Sequence, residues 1–366
     1  MKKILILTAG FGEGHNSAAR GLRDGLRKVA PVHTQIELHD LFADTYGFLN
    51  DWARVAYLRM INGSPRIWRS IYHWLDRQEN FAGDFRIFFT LKNRLRKTLH
   101  SFQPDVIVSV YPAYPYMLDE LFGREGAPQH KRIVIVTDSI SVNAIWYRCS
   151  ADFFLLPNEE SAAVLLNHGI PPSKVKVLGF PVSPAFAHHG EVRPLPSDTA
   201  GRRVLYIINA ANTAAPELVR RLAGLPGIQL TVTVGRNAGL RVSVERIRRT
   251  VTQEFETVEW SDDLPRLLRS NHLVISKAGG ATVQEAMAAG CPLIINHIIP
   301  GQEEGNARFI VENNSGVIAL TPEAVIAAVQ EAFADDAALW RQWADNASRL
   351  GKPEAALDIA QFLLAL

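Results

Sequence analysis

The chain has 366 residues, of which 47% are hydrophobic and 21% charged, and its formal net charge is +2. These values are typical of a globular protein that is long enough for two domains, each with its own core. Only two cysteines are present, Cys149 and Cys291, which excludes a disulfide framework, and no run reaches the ~18 apolar residues of a transmembrane helix.

Short, continuous runs of apolar residues recur along the chain, and helical segments separate them. They cover residues 4–7, 106–110, 133–136, 153–156, 175–178, 204–208, 230–234, 273–275 and 293–295. Runs without alternation are typical of parallel strands covered on both faces, so the sequence predicts an α/β fold with two doubly wound halves. We expect domains at residues 1–182 and 201–339, joined by a proline-rich linker at 183–200.

The first predicted strand ends in a glycine turn that leads into a helix. The turn contains Gly10, Gly12 and Gly14, and His15 begins the helical pattern. A dinucleotide-binding fingerprint would need glycine in place of His15, so a nicotinamide dinucleotide site is not favoured. A P-loop is excluded, because the sequence has no Gly-Lys-Ser/Thr triplet.

A long helical region, residues 41–103, separates a second predicted strand, residues 35–38, from the strand at 106–110. Between residues 45 and 103 it has ten Lys or Arg against four Asp or Glu. Aromatic side chains lie among the arginines, as in elements at a membrane interface, so we expect contact with an anionic membrane surface. A helical pair with a basic, solvated face is the alternative, and no nucleic-acid motif is present. The candidate contact residues are Trp52, Arg66, Trp68, Arg69 and Trp74.

Asp138 directly follows the predicted strand at residues 133–136. In an open α/β sheet, a carboxylate at the C-terminal end of a strand points into the crevice where ligands bind. Asp138 is therefore a candidate general base; the alternative is that it caps the following turn.

In the second half, a strand, a glycine turn and a helix start follow one another within residues 272–289. The free N–H groups and the dipole of such a helix start favour an anion, for example a diphosphate. Glu285, about one turn into the helix, can accept two hydrogen bonds from a ribose diol. The turn residues predicted to bind the donor are Gly279, Gly280, Ala281 and Thr282.

Further polar groups follow the other predicted strands of this half. Residues 300–306 contain amides and carboxylates suited to sugar hydroxyls, and together with the glycine turn they indicate a nucleotide-sugar site. The candidates are Gln302, Glu303 and Asn306 in this segment, Asn209 and Thr213 after the strand at 204–208, and Arg236 after the strand at 230–234.

The motifs at residues 12–15, 277–285 and 300–306 resemble those of the monogalactosyldiacylglycerol synthase and processive diacylglycerol glucosyltransferase family, which is glycosyltransferase family 28-like. The resemblance implies the GT-B fold, with two Rossmann-like doubly wound domains facing across a cleft. It also implies that a terminal helix, about residues 340–366, returns to the first domain. Gly12, Gly14 and His15 match the family's turn near the donor diphosphate and the acceptor hydroxyl, and Trp146 matches an aromatic residue on the acceptor side.

Two positions depart from the family pattern. Asn143 stands where the family often has histidine, so that position has no acid–base role. The loop at 209–213 lacks the family's usual glycines, and its alanine residues cannot adopt the positive φ values open to glycine.

The predicted reaction is an inverting transfer of a hexose from a UDP-sugar to a lipid acceptor, most simply diacylglycerol. His15 or Asp138 would remove the acceptor proton, or His15 would stabilise the leaving diphosphate. We expect no cofactor and no metal, because helix N-termini and Arg236 can neutralise the diphosphate. The expected location is the cytoplasm, with peripheral attachment to the inner face of the membrane.

Three alternatives remain open at this point. They are a UDP-N-acetylglucosamine 2-epimerase-like isomerase, a transferase with an isoprenoid-linked or soluble acceptor, and a sugar-nucleotide-binding protein without turnover. The sequence does not indicate which hexose is transferred, whether the product is glycosylated again, or the oligomeric state.

Overall fold

The structure is a computed structural model, and it describes residues 1–10, 12–47, 88–123, 130–187, 193–197, 201–209, 214–235, 237–261, 263–301 and 303–366. Eight predicted site residues lie outside this set. They are Trp52, Arg66, Trp68, Arg69 and Trp74 of the acceptor and membrane group, and Thr213, Arg236 and Gln302 of the donor group.

The described residues form two compact units. The first comprises Met1–Pro184, Ile299–Gly305 and Glu354–Leu366, and the second comprises Ala185–Ile298 and Asn306–Pro353. Each unit contains a six-stranded sheet, and every strand pairing within the two sheets is parallel. The prediction of two doubly wound α/β halves is confirmed.

The sheet of the first unit has the strand order β2-β1-β3-β4-β5-β6. Its strands are β1 (Lys3–Thr8), β2 (Gln35–Asp40), β3 (Val106–Ser109), β4 (Lys131–Ile135), β5 (Phe153–Leu156) and β6 (Val175–Val177). The α-helices assigned to this part of the chain are α1 (Glu13–Val29), α2 (Leu41–Tyr46), α3 (Phe89–Phe102), α4 (Ala113–Phe122) and α5 (Glu159–Asn167). Ile4, Leu5, Ile6 and Leu7 of β1 are all fully buried, because helices cover both faces of the sheet.

The second sheet has the order β12-β11-β10-β7-β8-β9. Its strands are β7 (Arg202–Ile207), β8 (Ile228–Gly235), β9 (Glu256–Glu259), β10 (Leu273–Lys277), β11 (Leu293–His297) and β12 (Gly316–Ile318). The helices that follow α5 along the chain are α6 (Ala215–Ala223), α7 (Ala238–Arg248), α8 (Leu264–Ser270), α9 (Gly280–Ala288), α10 (Glu304–Glu312), α11 (Pro322–Phe333), α12 (Ala338–Leu350) and α13 (Ala355–Ala365).

The last helix, α13, packs against α1 of the first unit. A Cβ atom on Gly25 of α1 would lie 2.5 Å from the carbonyl oxygen of Ala356, so only glycine permits this approach. The family resemblance of the sequence implied that a terminal helix, about residues 340–366, returns to the first domain. In the structure only Glu354–Leu366 count with that unit, whereas α12 belongs to the second.

Part of the segment predicted to be a linker, residues 183–200, is packed against the second unit. The guanidinium group of Arg193 donates to the carbonyl oxygens of Leu268, Arg269, Ala289 and Gly290 at 2.9 to 3.0 Å. These carbonyls lie at the C-terminal ends of α8 and α9, where they have no partner within their own helix. The Arg193 cation also interacts favourably with the dipoles of α8 and α9. Residues 193–197 therefore pack as part of the second unit.

Candidate active site

His15 lies at the start of α1, beside the carboxyl ends of β3 and β4. Its Nδ1 atom is 3.0 Å from the hydroxyl oxygen of Thr137, and the ring also hydrogen-bonds the backbone carbonyl of Val110. A carbonyl can only accept, so the N–H of the neutral ring is directed at Val110 and Nδ1 accepts from Thr137. Burial lowers the pKa of His15 to about 4, although the bond to Val110 acts in the opposite direction.

Asp138 lies at the same sheet edge, next to Thr137. Its Oδ2 atom accepts a hydrogen bond of 2.9 Å from the indole Nε1 of Trp146, and its carboxylate also accepts from the backbone N–H of Asn143. Burial raises the pKa of Asp138 to about 6, and the bonds from Trp146 and Asn143 partly offset this increase. Asp138 is therefore mostly ionised at neutral pH, yet it is a stronger base than an ordinary aspartate.

Trp146 connects the two candidate bases. Its ring centroid is 5.9 Å from that of His15, and Tyr111 also packs edge-on against His15 at 5.2 Å. Trp146 was predicted to contact the acceptor or the membrane; only 2% of the residue is exposed, and that contact stays a prediction. Its indole is buried in the core and holds the Asp138 carboxylate.

Asn143, where the family often has histidine, has a structural role. Its side-chain oxygen accepts from the backbone N–H of Ile145 and caps the short 3-10 helix Ala144–Trp146. Its own backbone N–H donates to Asp138. The residue therefore shapes the loop that carries Asp138 and Trp146.

Asp40 at the end of β2 supports the glycine turn, and the sequence analysis did not single it out. Its carboxylate accepts from the backbone N–H of Gly10 at 2.7 Å and from that of Ala43 at 3.0 Å. It thereby ties the glycine turn before α1 to the start of α2. The signal in the sequence is an aspartate at a strand end, directly before a helical pattern, which is the preferred place for a capping residue.

Gly12 and Gly14 lie at the N-terminus of α1. No side chain caps this helix, and a Cβ atom on either glycine would meet nothing within 4 Å. The start of α1 therefore has room beside these two glycines, and the predicted anion site there stays a prediction.

The predicted sugar-binding segment 300–306 is divided between the two units. Glu303 is 3% exposed, and its carboxylate accepts from the backbone N–H of Ile299 at 3.0 Å, which stabilises its own loop. Asn306 donates from Nδ2 to the carbonyl oxygen of Ala278 at 2.9 Å and so supports the turn before α9. The structure gives both residues a bond to protein backbone, and their predicted contacts with the hexose stay predictions.

In the second unit, Gly279 is the N-cap residue of α9 and has extended backbone angles, and no side chain caps this helix. Gly280, Ala281 and Thr282 form its first turn, directly beyond the C-terminal end of β10. Glu285 lies on the same helix and is 8% exposed. The strand, turn and helix predicted for the diphosphate are thus present, and the contact of Glu285 with ribose stays a prediction.

Several polar side-chain atoms at this edge of the second sheet are buried and have no hydrogen-bond partner among the described residues. They are the hydroxyl of Ser276, Oδ1 of Asn296, Oδ1 of Asn306 and Nδ2 of Asn209. These residues lie at or just beyond the carboxyl ends of β7, β10 and β11, or on α10. Buried polar groups are nearly always hydrogen-bonded, so the edge is suited to a ligand rich in donors and acceptors.

The described ranges contain neither a cluster of metal-ligating side chains nor a membrane-spanning helix. Within those ranges, no group of three or more His, Cys, Asp or Glu side chains is arranged to hold a metal ion. No helix in the same ranges has the length and apolar character needed to cross a bilayer.

Comparison with known proteins identifies the class. Residues 15–182 match the model of the Monogalactosyldiacylglycerol (MGDG) synthase family, and residues 202–359 match that of the Glycosyltransferase family 28 C-terminal domain. The fold is similar to that of MurG from Acinetobacter baumannii, with a TM-score of 0.62, 14% identity and full coverage of both chains. A UDP-GlcNAc 2-epimerase from Neisseria meningitidis bound to UDP-GlcNAc gives a TM-score of 0.63, also at 14% identity and full coverage.

Curated relatives extend over nearly the whole chain. The probable monogalactosyldiacylglycerol synthase 2, chloroplastic, of Oryza sativa subsp. indica is 28% identical over 98% of this chain and 80% of its own length. The processive diacylglycerol β-glucosyltransferase of Bacillus subtilis (strain 168) is 26% identical over 93% of this chain and 89% of its own length. The fold and the two family matches define a glycosyltransferase with the GT-B fold. More narrowly, the chain belongs to the monogalactosyldiacylglycerol synthase and processive diacylglycerol glucosyltransferase family.

Proposed function

We propose that the protein transfers a hexose from a UDP-sugar to diacylglycerol, with inversion at the anomeric carbon, while it is bound peripherally to the inner face of a membrane. The observation that carries the proposal is that both halves match glycosyltransferase models and align with relatives named for diacylglycerol or its galactolipid. The described residues support the same reaction, because one unit offers a buried carboxylate that can act as a base and the other offers a helix N-terminus that none of their side chains caps.

The donor binds at the carboxyl edge of the second sheet. The N–H groups of Gly280, Ala281 and Thr282 at the start of α9 receive the diphosphate, and the helix dipole stabilises the charge that develops as UDP leaves. The unpartnered atoms of Ser276 and Asn296 provide further hydrogen bonds at this edge. Glu285 binds the ribose hydroxyls, and Glu303 lies in the loop that holds the hexose.

No metal ion is needed for this arrangement. The uncapped start of α9 can offset the negative charge of the diphosphate, a task that divalent ions perform in other transferases. We expect transfer to continue at its normal rate in excess chelator, and a loss of activity that magnesium or manganese restores would contradict this.

Asp138 is the base, rather than His15. The Asp138 carboxylate accepts the proton of the acceptor hydroxyl as the new bond between that oxygen and the anomeric carbon forms, and the bond to the UDP oxygen breaks. His15 is poorly suited to this step, because its pKa is about 4 and its Nδ1 lone pair is hydrogen-bonded to Thr137. The neutral His15 ring instead packs on Trp146, which holds Asp138.

The membrane contact of the first unit includes the outer face of α3. Arg94, Arg96 and Lys97 are exposed on this helix, Phe89 at its start is 67% exposed, and its sequence contains no Asp or Glu. Basic side chains near an anionic leaflet contribute about 1 kcal/mol each, and an exposed aromatic ring suits the headgroup region. This helix continues the basic and aromatic segment that the sequence predicts to contact the membrane.

The deciding experiment measures UDP release by the purified protein, with a panel of UDP-sugars and vesicles that contain diacylglycerol. We expect release that requires the vesicles and yields a glycosylated diacylglycerol. Interconversion of UDP-N-acetylhexosamines without vesicles would identify an epimerase instead. Uridine nucleotide binding without release or interconversion would identify a binding protein.

A further inference from the structure

The turn that follows Asp138 has a strained backbone. The N–H of Ser141 donates to the carbonyl oxygen of Ser139 at 2.6 Å, and Ile140 between them has a φ of +59°. A bond from residue i+2 to residue i around a positive φ defines a classic γ-turn, which is rare. A β-branched residue in this region is strained and persists only where its surroundings fix it.

The surroundings fix this turn from two sides. The backbone N–H of Ile140 donates to the hydroxyl of Ser161 at 3.0 Å. Ser161 is fully buried in the first turn of α5, where its own N–H is bonded to the capping side chain of Asn158 at 2.9 Å. Opposite, a Cβ atom on Gly305 would lie only 2.6 Å from the carbonyl oxygen of Ser139, so the glycine backbone packs directly on the turn.

The turn determines which groups reach the Asp138 carboxylate. It reverses the chain between Asp138 and Asn143, so that the Asn143 N–H and the Trp146 indole can both donate back to the carboxylate. If the chain continued in an extended conformation after Ser139, residues 143 and 146 would be carried away from Asp138. The hydrogen bonds that orient Asp138 therefore depend on a turn conformation that is unfavourable for an isoleucine at position 140 unless its surroundings hold it.

We infer that Ser161 is a positioning residue for transfer, because its hydroxyl holds the γ-turn at Ile140 and this turn orients the Asp138 carboxylate. The inference rests on the proposed function, since it takes Asp138 as the base. Ser161 acts through the backbone of Ile140 and on no reacting atom. A purely structural serine would contribute stability without affecting the chemical step.

The first test compares Ser161→Ala with Ser315→Ala. Ser315 is a matched control in the second unit, because it is also fully buried and its hydroxyl also bonds to backbone, namely the carbonyl of Ile310 at 3.2 Å. We expect Ser161→Ala to lower kcat by about 10- to 100-fold, as misplacement of a catalytic group does, with the donor KM and the calorimetric UDP affinity within twofold of wild type. Ser315→Ala should keep the wild-type kcat.

The second test changes the turn itself. Ile140→Pro fixes φ near −65° and removes the N–H that binds Ser161, whereas Ile140→Gly keeps the N–H and accepts the positive φ without strain. We expect the glycine variant to retain at least tenfold more kcat than the proline variant. Thermal unfolding and UDP affinity show whether Ser161→Ala is folded. If it is not, the ratio of kcat between the two Ile140 variants still tests the positioning role.

The outcomes separate the inference from the function on which it rests. If wild-type protein releases no UDP with any sugar and diacylglycerol, the proposed function is wrong and the role of Ser161 fails with it. If wild type is active, and Ser161→Ala or Ile140→Pro loses thermal stability but keeps kcat, transfer by the protein stands and the positioning role is refuted.

Discussion

Asp138 and His15 make opposite predictions for the dependence of transfer on pH. A base must be deprotonated to act, so the rate is constant above its pKa and falls tenfold per pH unit below it. The pKa of Asp138 is about 6 and that of His15 is about 4. We expect kcat/KM for the acceptor to fall below about pH 6, and a profile that stays flat down to about pH 4 would identify His15 as the base.

Replacement of Asp138 by asparagine gives the complementary measurement. The amide keeps the size of the side chain but cannot take a proton, so kcat should fall by about 10²- to 10⁴-fold, the usual contribution of a general base. UDP affinity should be unchanged, because the groups assigned to UDP lie on the second unit. A kcat that stays within threefold of wild type would exclude Asp138 from proton transfer.

The indole of Trp146 should tune this base. Its hydrogen bond favours the ionised carboxylate and so lowers the pKa of Asp138. Trp146→Phe keeps an aromatic ring but removes the N–H, so the acid limb of the pH profile should move to higher pH. Trp340→Phe is the control, since it removes a similar buried bond of 2.7 Å, to the carbonyl of His272, far along the chain. An unshifted limb in Trp146→Phe would show that the bond does not act on the base.

At the scale of single elements, the outer face of α3 is the part of the proposed membrane contact that lies within the described residues. Neutralising Arg94 and Lys97 with glutamine should cost about 2 kcal/mol, or roughly 30-fold in partition to anionic vesicles. The same change at the exposed Arg246 and Arg249, at the end of α7 in the second unit, serves as the control. Sedimentation with vesicles that contain anionic lipid measures both pairs, and equal losses would refute a specific role for α3.

The central strands of both sheets could be predicted from the sequence, and the two edge strands of the second sheet could not. Strands such as β1 and β10 are buried on both faces, so they appear as unbroken apolar runs. The edge strands β9 and β12 are partly exposed, and β9 has the sequence Glu-Thr-Val-Glu, which carries no such signal. They were absent from the predicted strands for this reason.

The candidate active site could likewise be predicted only in part. Glycine turns and strand ends placed His15, Asp138 and Gly279 correctly at the carboxyl edges of their sheets, because parallel strands all end there. The bond from Trp146 to Asp138 and the turn at Ile140 depend on how a loop folds back on itself. No periodicity in the sequence encodes such a contact. The burial of Trp146 was not predicted, because an aromatic residue gives the same signal in a sequence whether it is buried or exposed.

For the whole molecule, the two units are expected to divide the work between proton transfer and donor binding. The residues around Asp138 belong to the first unit, and α9 belongs to the second. Substitutions should therefore separate into two kinetic classes. Those near Asp138 change kcat and its dependence on pH, and those on α9 change the affinity for the donor.

Glu285 gives the sharpest test of this division. Glu285→Ala removes the carboxylate assigned to the ribose diol, and a charged hydrogen-bonding pair of this kind contributes about 1.5–3 kcal/mol, or roughly 10- to 150-fold. We expect the donor KM and the dissociation constant of UDP to rise by that factor, with the acid limb of the pH profile still near 6. Glu285→Gln should lose less, because its amide keeps one acceptor oxygen. An unchanged donor KM would remove Glu285 from the donor site, and a shifted acid limb would show that the two functions are coupled.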